Sequence, residues 1–249
     1  MRSIANHCSE RRAYNCRVAD NSNKYSPPLA EALRRSRWAC DLSDEEFARV
    51  ESGVAERLIQ AGGFACRKGE PVEHWIGVID GLVKISSDLE SGKTATLAGI
   101  LAGGWFGEGS LLKTETRRYD VVALRDSRIA YMRRETFQWL LDHSIGFNRY
   151  LLIQLNERLG QFIGLLESER LLDTDARVAR CLATMFNPVL YPGDGRQIAV
   201  SQEEIGYLTG VSRQRVNRSL KVLQFAGYLK VEYGSITICD LDGLRRFGG

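Results

Sequence analysis

Hydrophobic residues between about positions 63 and 133 occur in short runs separated by Gly, Asp and Ser. The runs cover residues 75–79, 82–85, 95–101, 121–124 and 129–132. Parallel strands need crossover helices between them, and no helical pattern interrupts this region. Many short strands in succession therefore predict an antiparallel β-roll or jelly roll.

After Arg134 the hydrophobic spacing changes to alternating steps of three and four residues. This spacing is typical of a coiled-coil seam of about three heptads. The predicted dimerisation residues are Leu152, Leu155, Leu159, Phe162 and Leu166. An alternative is that the seam packs on the chain's own β domain. Polar residues flank the seam and the β domain can supply its own core, so we favour a dimerisation helix, with Asn148 on the seam fixing its register.

Two helix signatures with a tight turn between them lie between residues 201 and 225. Ser201 and Glu204 have capping-box spacing, Gly210 supplies the turn, and Ser212 caps a second helix. The second helix carries an apolar stripe made by Val216, Leu220 and Leu223. Helix, turn and helix in this order are typical of a DNA-reading unit. Residues 229–232 and 235–238 flank Tyr233-Gly234 and predict a hairpin that forms a wing.

The polar side of the second helix has the chemistry that DNA requires. Arg pairs with guanine, Gln and Asn pair with adenine, and Ser, Arg and Lys bind phosphates. A solvated helix face with several cations is the alternative, but it does not explain the caps, the turn and the stripe together. The predicted DNA-binding residues are Ser201, Ser212, Arg213, Gln214, Arg215, Asn217, Arg218 and Lys221.

Length and charge divide the chain further. A chain of 249 residues with 44% hydrophobic residues suits two folded domains. The first 37 residues hold eight Lys and Arg against three Asp and Glu, whereas the middle of the chain is acidic. We predict a basic N-terminal arm over 1–37, a β-roll over 38–143, a dimerisation helix over 144–172 and a winged helix-turn-helix domain over 173–249.

Membrane, metal and catalytic sites find little support in the sequence. No apolar run is long enough to cross a membrane and the start lacks a signal peptide, so we expect a cytoplasmic protein. Six cysteines without a CxxC pair predict no zinc site. Neither a nucleophile elbow, a P-loop, an HExxH motif nor a cluster of His, Asp and Glu is present, and we expect no enzymatic activity.

The order of these parts resembles the Crp/Fnr transcription regulators, the relatives of the bacterial cyclic-AMP receptor protein. The resemblance covers about residues 40–240 and is most specific from Ser201 to Arg218. The run Gly104-Trp105-Phe106-Gly107-Glu108 also resembles the family's Gly-x-x-Phe-Gly-Glu segment. The resemblance implies an α+β fold with a cyclic-nucleotide-binding-like β-roll, a long dimerisation helix and a C-terminal winged helix-turn-helix.

The same resemblance implies roles for three residues of the reading helix. Arg213, Gln214 and Arg218 stand where the family carries Arg, Glu and Arg to meet base edges. Glu would accept a hydrogen bond from cytosine, whereas Gln can pair with adenine. We therefore predict a different base preference at the position that Gln214 reads.

For the effector site, the resemblance implies Gly107, Glu108, Arg118 and Tyr119. In nucleotide-binding members Glu holds the ribose, and an Arg ten residues later, followed by Ser or Thr, holds the cyclic phosphate. Here Tyr119 replaces the small hydroxyl residue and Asp120 adds a negative charge, which disfavours a cyclic nucleotide without excluding it. The effector, if there is one, stays unidentified.

Redox and haem chemistry are less favoured still. The spacing of Cys8 and Cys16 does not match the cluster cysteines of Fnr-type regulators, so we do not expect an iron–sulfur cluster. His7, His74 and His143 are scattered and do not suggest a haem ligand.

The sequence thus predicts a homodimeric transcription regulator that binds a pseudo-palindromic double-stranded DNA site under the control of an unidentified effector. RNA polymerase is the further partner that this function implies. The alternative is a cyclic-nucleotide-responsive or redox-responsive interaction module that does not read DNA.

Overall fold

A computed structural model describes residues 27–88, 94–192 and 195–248 of the chain. The predicted arm up to residue 26, with Cys8, Cys16 and His7, lies outside the described residues. So do Glu90, Ser91 and Gly92, which lie between the hydrophobic runs 82–85 and 95–101. The predicted α+β fold is confirmed, with a β-roll, a long helix and a winged helix-turn-helix in that order.

The first domain is built of short strands with helices at its edges. Its helices are α1 (Leu29–Arg35), α2 (Asp44–Ser52), α3 (Glu108–Lys113) and α4 (Arg134–His143). Its strands are β1 (Val54–Ile59), β2 (Phe64–Cys66), β3 (His74–Asp80), β4 (Leu82–Asp88), β5 (Thr94–Leu101), β6 (Trp105–Phe106), β7 (Asp120–Ala123) and β8 (Ser127–Arg133).

These strands form two four-stranded antiparallel sheets. One sheet has the order β1-β8-β3-β6 and the other the order β2-β7-β4-β5. Alternate side chains of β3, β4 and β7, such as Ile76, Val83 and Val121, point between the sheets and are buried. This inward alternation is what the hydrophobic runs predicted, and it makes the interior of the roll.

Strand β1 was missed by the sequence pattern, which placed the first strand after residue 63. Its residues read Val-Ala-Glu-Arg-Leu-Ile, and Leu58 in it is 68% exposed. An edge strand packs on one side only, so its apolar residues do not follow a clean alternation. Pairing with β8, from Val54 opposite Met132 to Ile59 opposite Ser127, defines it instead.

The predicted boundary of the arm at residue 37 is wrong. Helix α1 buries Leu33, and the short 3₁₀ turn that follows buries Trp38. Trp105 Nε1 donates a hydrogen bond of 3.2 Å to the hydroxyl of Ser36. Residues 29–37 therefore pack on the core of the first domain, and Arg34 and Arg35, two of the basic residues that suggested an arm, lie exposed on α1.

An aromatic cluster joins this segment to the roll and to the long helix. Trp38 packs edge-on against Trp105, with ring centroids 5.3 Å apart, and against Phe147 at 6.4 Å. Trp75 stacks at a tilt on Trp105 at 4.5 Å. Each such pair contributes about 0.5–1.5 kcal/mol beyond the area it buries. The cluster fixes the N-terminal part of the long helix against the β-roll.

The long helix α5 (Ile145–Leu171) is separate from α4 because the backbone is extended at Ser144. Ser144 caps α5 by accepting a hydrogen bond from the Phe147 amide. Asn148, predicted to fix the register of the seam, forms hydrogen bonds within its own chain. Its side-chain amide donates to the carbonyls of Leu141 (2.7 Å) and Ser144 (3.0 Å), so Asn148 joins the two helices within one chain.

The C-terminal domain follows a break at Leu172 and Asp173. It contains α6 (Thr174–Thr184), β9 (Gln197–Ile198), α7 (Gln202–Thr209), α8 (Arg213–Phe225), β10 (Leu229–Glu232), β11 (Ser235–Ile238) and α9 (Leu241–Arg246). The hairpin β10-β11, with β9 beside β11, forms the predicted wing. The helices and the wing share one hydrophobic core with the buried residues Val178, Ile205, Leu220 and Ile236.

Candidate nucleic-acid interface

Two capped helices with a glycine turn between them form the unit that the sequence predicted. Ser201 accepts a hydrogen bond from the Glu204 amide, and the Glu204 carboxylate accepts one from the Ser201 amide at 2.6 Å. Gly210 ends α7 with φ 65°, a left-handed conformation that suits glycine. A side chain at Gly206 would meet the Val211 carbonyl at 2.7 Å, so only glycine permits this close crossing.

Helix α8 buries one side against α6 and α7. Val216, Leu220 and Leu223 are buried as the stripe predicted, and Ser219 beside them is fully buried. The Ser219 hydroxyl donates to Asp175 of α6 at 2.6 Å. This packing fixes which side of α8 faces solvent.

The opposite side of α8 is exposed and basic. Arg213, Gln214, Arg218 and Lys221 are all exposed there. Ser212 begins the helix and accepts a hydrogen bond of 3.4 Å from the Arg215 amide. A helix N-terminus with exposed Arg and Gln side chains has the donors that base edges and phosphates accept. We call the surface of Arg213, Gln214, Arg218 and Lys221 the reading face.

Arg215 and Asn217, also predicted to bind DNA, are placed differently. Both are half-buried, and Arg215 Nη2 forms an ion pair of 3.0 Å with Asp175 of α6. Asp175 thus holds Arg215 toward α6, beside the reading face. The helical pattern alone could not reveal this partner, because Asp175 lies 40 residues earlier in the chain.

The wing adds two residues that the sequence reasoning did not single out. Tyr233 at the turn of the hairpin is fully exposed, and Lys230 on β10 is exposed as well. An aromatic ring and a cation at the tip of a wing suit contacts with a nucleic-acid backbone. The Tyr233-Gly234 turn was the available signal.

The predicted seam lies exposed along α5. Leu152, Leu159 and Leu166 are each more than half exposed, and Leu155 and Phe162 are more than a third exposed. In contrast, Phe147 and Leu151 near the start of the helix are buried in the aromatic cluster. Most of the seam is thus free of the chain's own β domain, and a helix partner could cover it.

Arg118, a predicted effector-site residue, lies on the surface of the first domain. Its side chain is exposed, and its Nε donates to Glu115 at 2.8 Å on the surface. The neighbouring Arg117 is the buried cation, and it donates to the His74 carbonyl. The ten residues after Glu108 include helix α3 and a loop. The arginine that faces inward is therefore Arg117, one residue before the position that the count gives.

Glu108 lies inside the domain with partners of its own. It is buried at the start of α3, after Gly107, whose φ of 91° is left-handed. Trp75 Nε1 donates to Glu108 at 3.4 Å, and Arg158 Nε of helix α5 lies 3.8 Å from its other oxygen. The pKa of the nearby Tyr119 hydroxyl is raised to about 12 by burial and by the charge of Glu108. Tyr119 therefore stays neutral at any physiological pH.

These residues do not form the phosphate and ribose site that the resemblance implies. The carried-over arginine points to solvent, and the carboxylate faces a buried guanidinium of the same chain. Arg117 Nη1 is buried without a hydrogen-bond partner, but the same guanidinium already donates to His74. The set does not suit a cyclic nucleotide bound in the family's manner.

Metal and membrane chemistry gain no support from the described residues. No group of three His, Cys, Asp or Glu in them lies close enough to hold a metal ion. Burial raises the pKa of the Cys66 thiol to about 11. Within the same ranges, no helix has the length and apolar character to cross a membrane.

Comparisons with known proteins agree with this architecture. Residues 56–144 match the cyclic nucleotide-binding domain family, and residues 176–247 match the Crp-like helix-turn-helix domain family. The cAMP-activated global transcriptional regulator CRP of Pasteurella multocida is 31% identical over 160 residues, which cover 63% of this chain and 76% of that protein. This chain belongs to the CRP/FNR family of transcription regulators. Homodimers and control by an effector are typical of the family.

Solved structures of family members share the fold. FixK2 of Bradyrhizobium japonicum has a TM-score of 0.64 at 20% identity, with 79% of this chain and 98% of that chain covered. A CRP family regulator of Thermus thermophilus is 25% identical with a TM-score of 0.54, covering 76% of this chain and 95% of that chain. As a CRP/FNR regulator, the chain carries its DNA-binding domain in α6–α9 and the wing.

Proposed function

We propose that this CRP/FNR regulator binds a pseudo-palindromic DNA site as a homodimer. Two copies of α8 would enter successive major grooves about 34–36 Å apart. The observation that carries this proposal is the reading face, where Arg213, Gln214 and Arg218 are exposed while the apolar side of α8 is buried. The seam of Leu152, Leu155, Leu159, Phe162 and Leu166 is the proposed contact between the two copies.

Each residue of the interface has a proposed role. Arg213 and Arg218 pair with guanine, and Gln214 pairs with adenine. Ser201, Ser212 and Lys221 bind phosphates and set the register of the domain on the duplex. Arg215, held by Asp175, and the half-buried Asn217 support the reading face from its edge.

The setting follows from regulation of transcription. We place the protein in the cytoplasm, where chromosomal DNA is accessible, with RNA polymerase as the further partner and without enzymatic activity. Relatives are named as cAMP-activated regulators. For this chain a cyclic nucleotide is disfavoured, because Glu108 faces Arg158 and Arg118 faces solvent.

The proposal is tested by the DNA affinity of Arg213→Ala and Arg218→Ala, with Arg245→Ala as the matched control. Arg245 is an exposed cation of the same domain that pairs with Asp242 away from the reading face. A bidentate pair contributes about 1–3 kcal/mol and occurs twice in a dimer, so each reading-face variant should lose roughly a hundredfold in affinity for a selected site. Equal affinities for all three variants would overturn the proposal.

A further inference from the structure

A segment of the DNA-binding domain enters the β-roll. Residues 187–192 connect α6 to β9, and Leu190 and Tyr191 within them are buried at 3% and 6% exposure. Both side chains pack in the same hydrophobic cluster as Ile100 and Phe106 of the roll. A connecting loop usually runs over the surface of its own domain. Here it completes the core of another one.

The backbone of this segment is held in its bent shape. Asn187 Oδ1 accepts hydrogen bonds from the amides of Val189 (2.9 Å) and Leu190 (3.0 Å). The side-chain nitrogen of Asn187 donates to Glu157 of α5 at 2.9 Å, and Arg37 donates to the Pro188 carbonyl at 2.8 Å. The segment is thus tied to the long helix and to the N-terminal part of the β domain.

Tyr191 is the polar contact at the end of the segment. Its hydroxyl donates to the Gly99 carbonyl of β5 at 2.8 Å. A side chain at Gly104 would come within 3.1 Å of the Tyr191 ring, so glycine there leaves room for it. The hydrogen bond to Gly99 holds the hydroxyl end of Tyr191 against the β-roll.

Arg158 joins the long helix to the interior of the roll. It is buried, and its Nη2 donates to the Trp105 carbonyl at 2.6 Å. Its Nε lies 3.8 Å from Glu108. Burial lowers the pKa of Arg158, but Tyr191 and Glu108 outweigh that effect and raise it. The long helix is thus fixed to the same β-roll that receives Tyr191 of the DNA-binding domain.

A second set of contacts ties the same two domains together. Arg125 of the β7–β8 turn donates to Glu204 at 2.8 Å and to the Ala199 carbonyl at 2.7 Å. Glu204 is also the capping-box residue of α7, so the β-roll holds the first helix of the reading unit at its start. With the domains held in this way, the reading face is exposed.

We propose that residues 187–192 are a built-in positioning element, in which Tyr191, bound to Gly99 of the β-roll, holds the DNA-binding domain so that the regulator binds DNA without a cyclic nucleotide. The inference rests on the proposed function. Glu108 already faces a cation from its own chain, and Tyr191 and Arg125 already bridge the domains. A preorganised domain loses less conformational freedom on binding, which favours affinity.

The test compares Tyr191→Phe with Tyr131→Phe in the full-length dimer. Both tyrosines are buried and both donate to a backbone carbonyl, Tyr191 to Gly99 of β5 and Tyr131 to Ala65 at 2.9 Å within the β-roll. Each variant therefore removes one hydroxyl with a similar environment. Only Tyr191 joins two domains, so only Tyr191→Phe should weaken DNA binding, by roughly tenfold.

The dependence on half-site spacing separates positioning from general stability. DNA affinity is measured on a selected site and on the same site with one base pair inserted between the half-sites. The wild-type protein should lose much affinity on the longer site, because its two reading faces are held at a fixed distance. Tyr191→Phe should lose clearly less, and Tyr131→Phe should behave like the wild type.

Several results would overturn the inference. These are an unchanged or higher affinity of Tyr191→Phe, an unchanged spacing penalty, or a wild-type affinity that excess cyclic AMP or cyclic GMP raises. In each of these cases the wild-type protein still prefers its site and loses that preference in Arg213→Ala, so the proposed function survives. Failure of the proposed function is distinct, because the wild type and Arg213→Ala would then bind equally.

Discussion

The hydrophobic pattern predicted which side of helix α8 is exposed, whereas the family resemblance did not show which of two adjacent arginines, Arg117 or Arg118, faces the interior of the β-roll. On α8 the apolar stripe fixed the phase, and Arg213, Gln214 and Arg218 are exposed as expected. In the roll, the residue counted from Glu108 was Arg118, which is exposed, and Arg117 is buried instead.

Helix α8 and strand β7 differ in how much an error of one residue in the sequence position changes which side chains face inward. A helix of 13 residues averages its hydrophobic signal over several turns, so one position cannot change the face. Strand β7 begins at Asp120, just after a loop, and a slip of one residue exchanges inside and outside. Counting residues across a helix and a loop therefore does not determine which side chain of the strand faces inward.

The largest expected effect on this comparison is the loss of stability in Arg158→Met, which removes a buried cation of the β-roll. Removing Arg158 leaves the buried Glu108 without its cation, and breaking a buried pair costs about 3–5 kcal/mol. Arg118→Ala removes an exposed cation that pairs only with Glu115 and should leave the free energy of unfolding unchanged.

Urea unfolding of both variants against the wild type is the measurement. If Arg118→Ala were the more destabilised of the two, the assignment of Arg158 as the buried partner of Glu108 would be wrong. Glu108→Gln serves as a second variant, since it keeps the shape of the side chain while removing its charge.

DNA binding by the reading face can also be weakened by a substitution in the seam, which lies on another helix. Leu159→Glu places a charge in the proposed dimer contact and should give a monomer at working concentrations. Affinity for a two-half-site DNA should then fall by roughly a hundredfold, because the second half-site no longer adds avidity.

Analytical ultracentrifugation and fluorescence anisotropy measure the two effects together. Arg149→Glu is the control, an exposed charge change near the start of α5 at a position that is not one of the seam residues. A dimeric Leu159→Glu that binds as tightly as the wild type would contradict the seam.

The smallest expected effect is a change of preference at one base pair of each half-site. Gln214→Glu should move that preference from adenine toward cytosine, by about 1–3 kcal/mol, because a carboxylate accepts a hydrogen bond from the cytosine amino group. In vitro selection with both proteins measures it. Identical selected sites would show that Gln214 does not meet a base.

The sequence predicted the local features of this molecule better than its long-range contacts. The capping box at Ser201, the Gly210 turn and the wing hairpin involve residues close in sequence, and all were predicted correctly. Strand β1 was missed because an edge strand lacks a clean alternation. The packing of residues 29–37 on the first domain was missed because basic residues dominate the segment around Leu33.

The contacts of Arg158, Tyr191 and Arg215 were beyond the reach of the sequence pattern. Arg158 meets Glu108 across 50 positions, Tyr191 meets Gly99 across 92, and Arg215 meets Asp175 across 40. Such pairs depend on how the domains pack together. No periodicity within a single helix or strand records them.

Selection of DNA sites from a random pool by the purified protein without added ligand tests the central claim most directly. The account predicts a two-fold symmetric consensus whose half-sites have a fixed spacing, and it predicts that Arg213→Ala loses that consensus. A folded, dimeric wild-type protein that enriches no symmetric site under these conditions would contradict it.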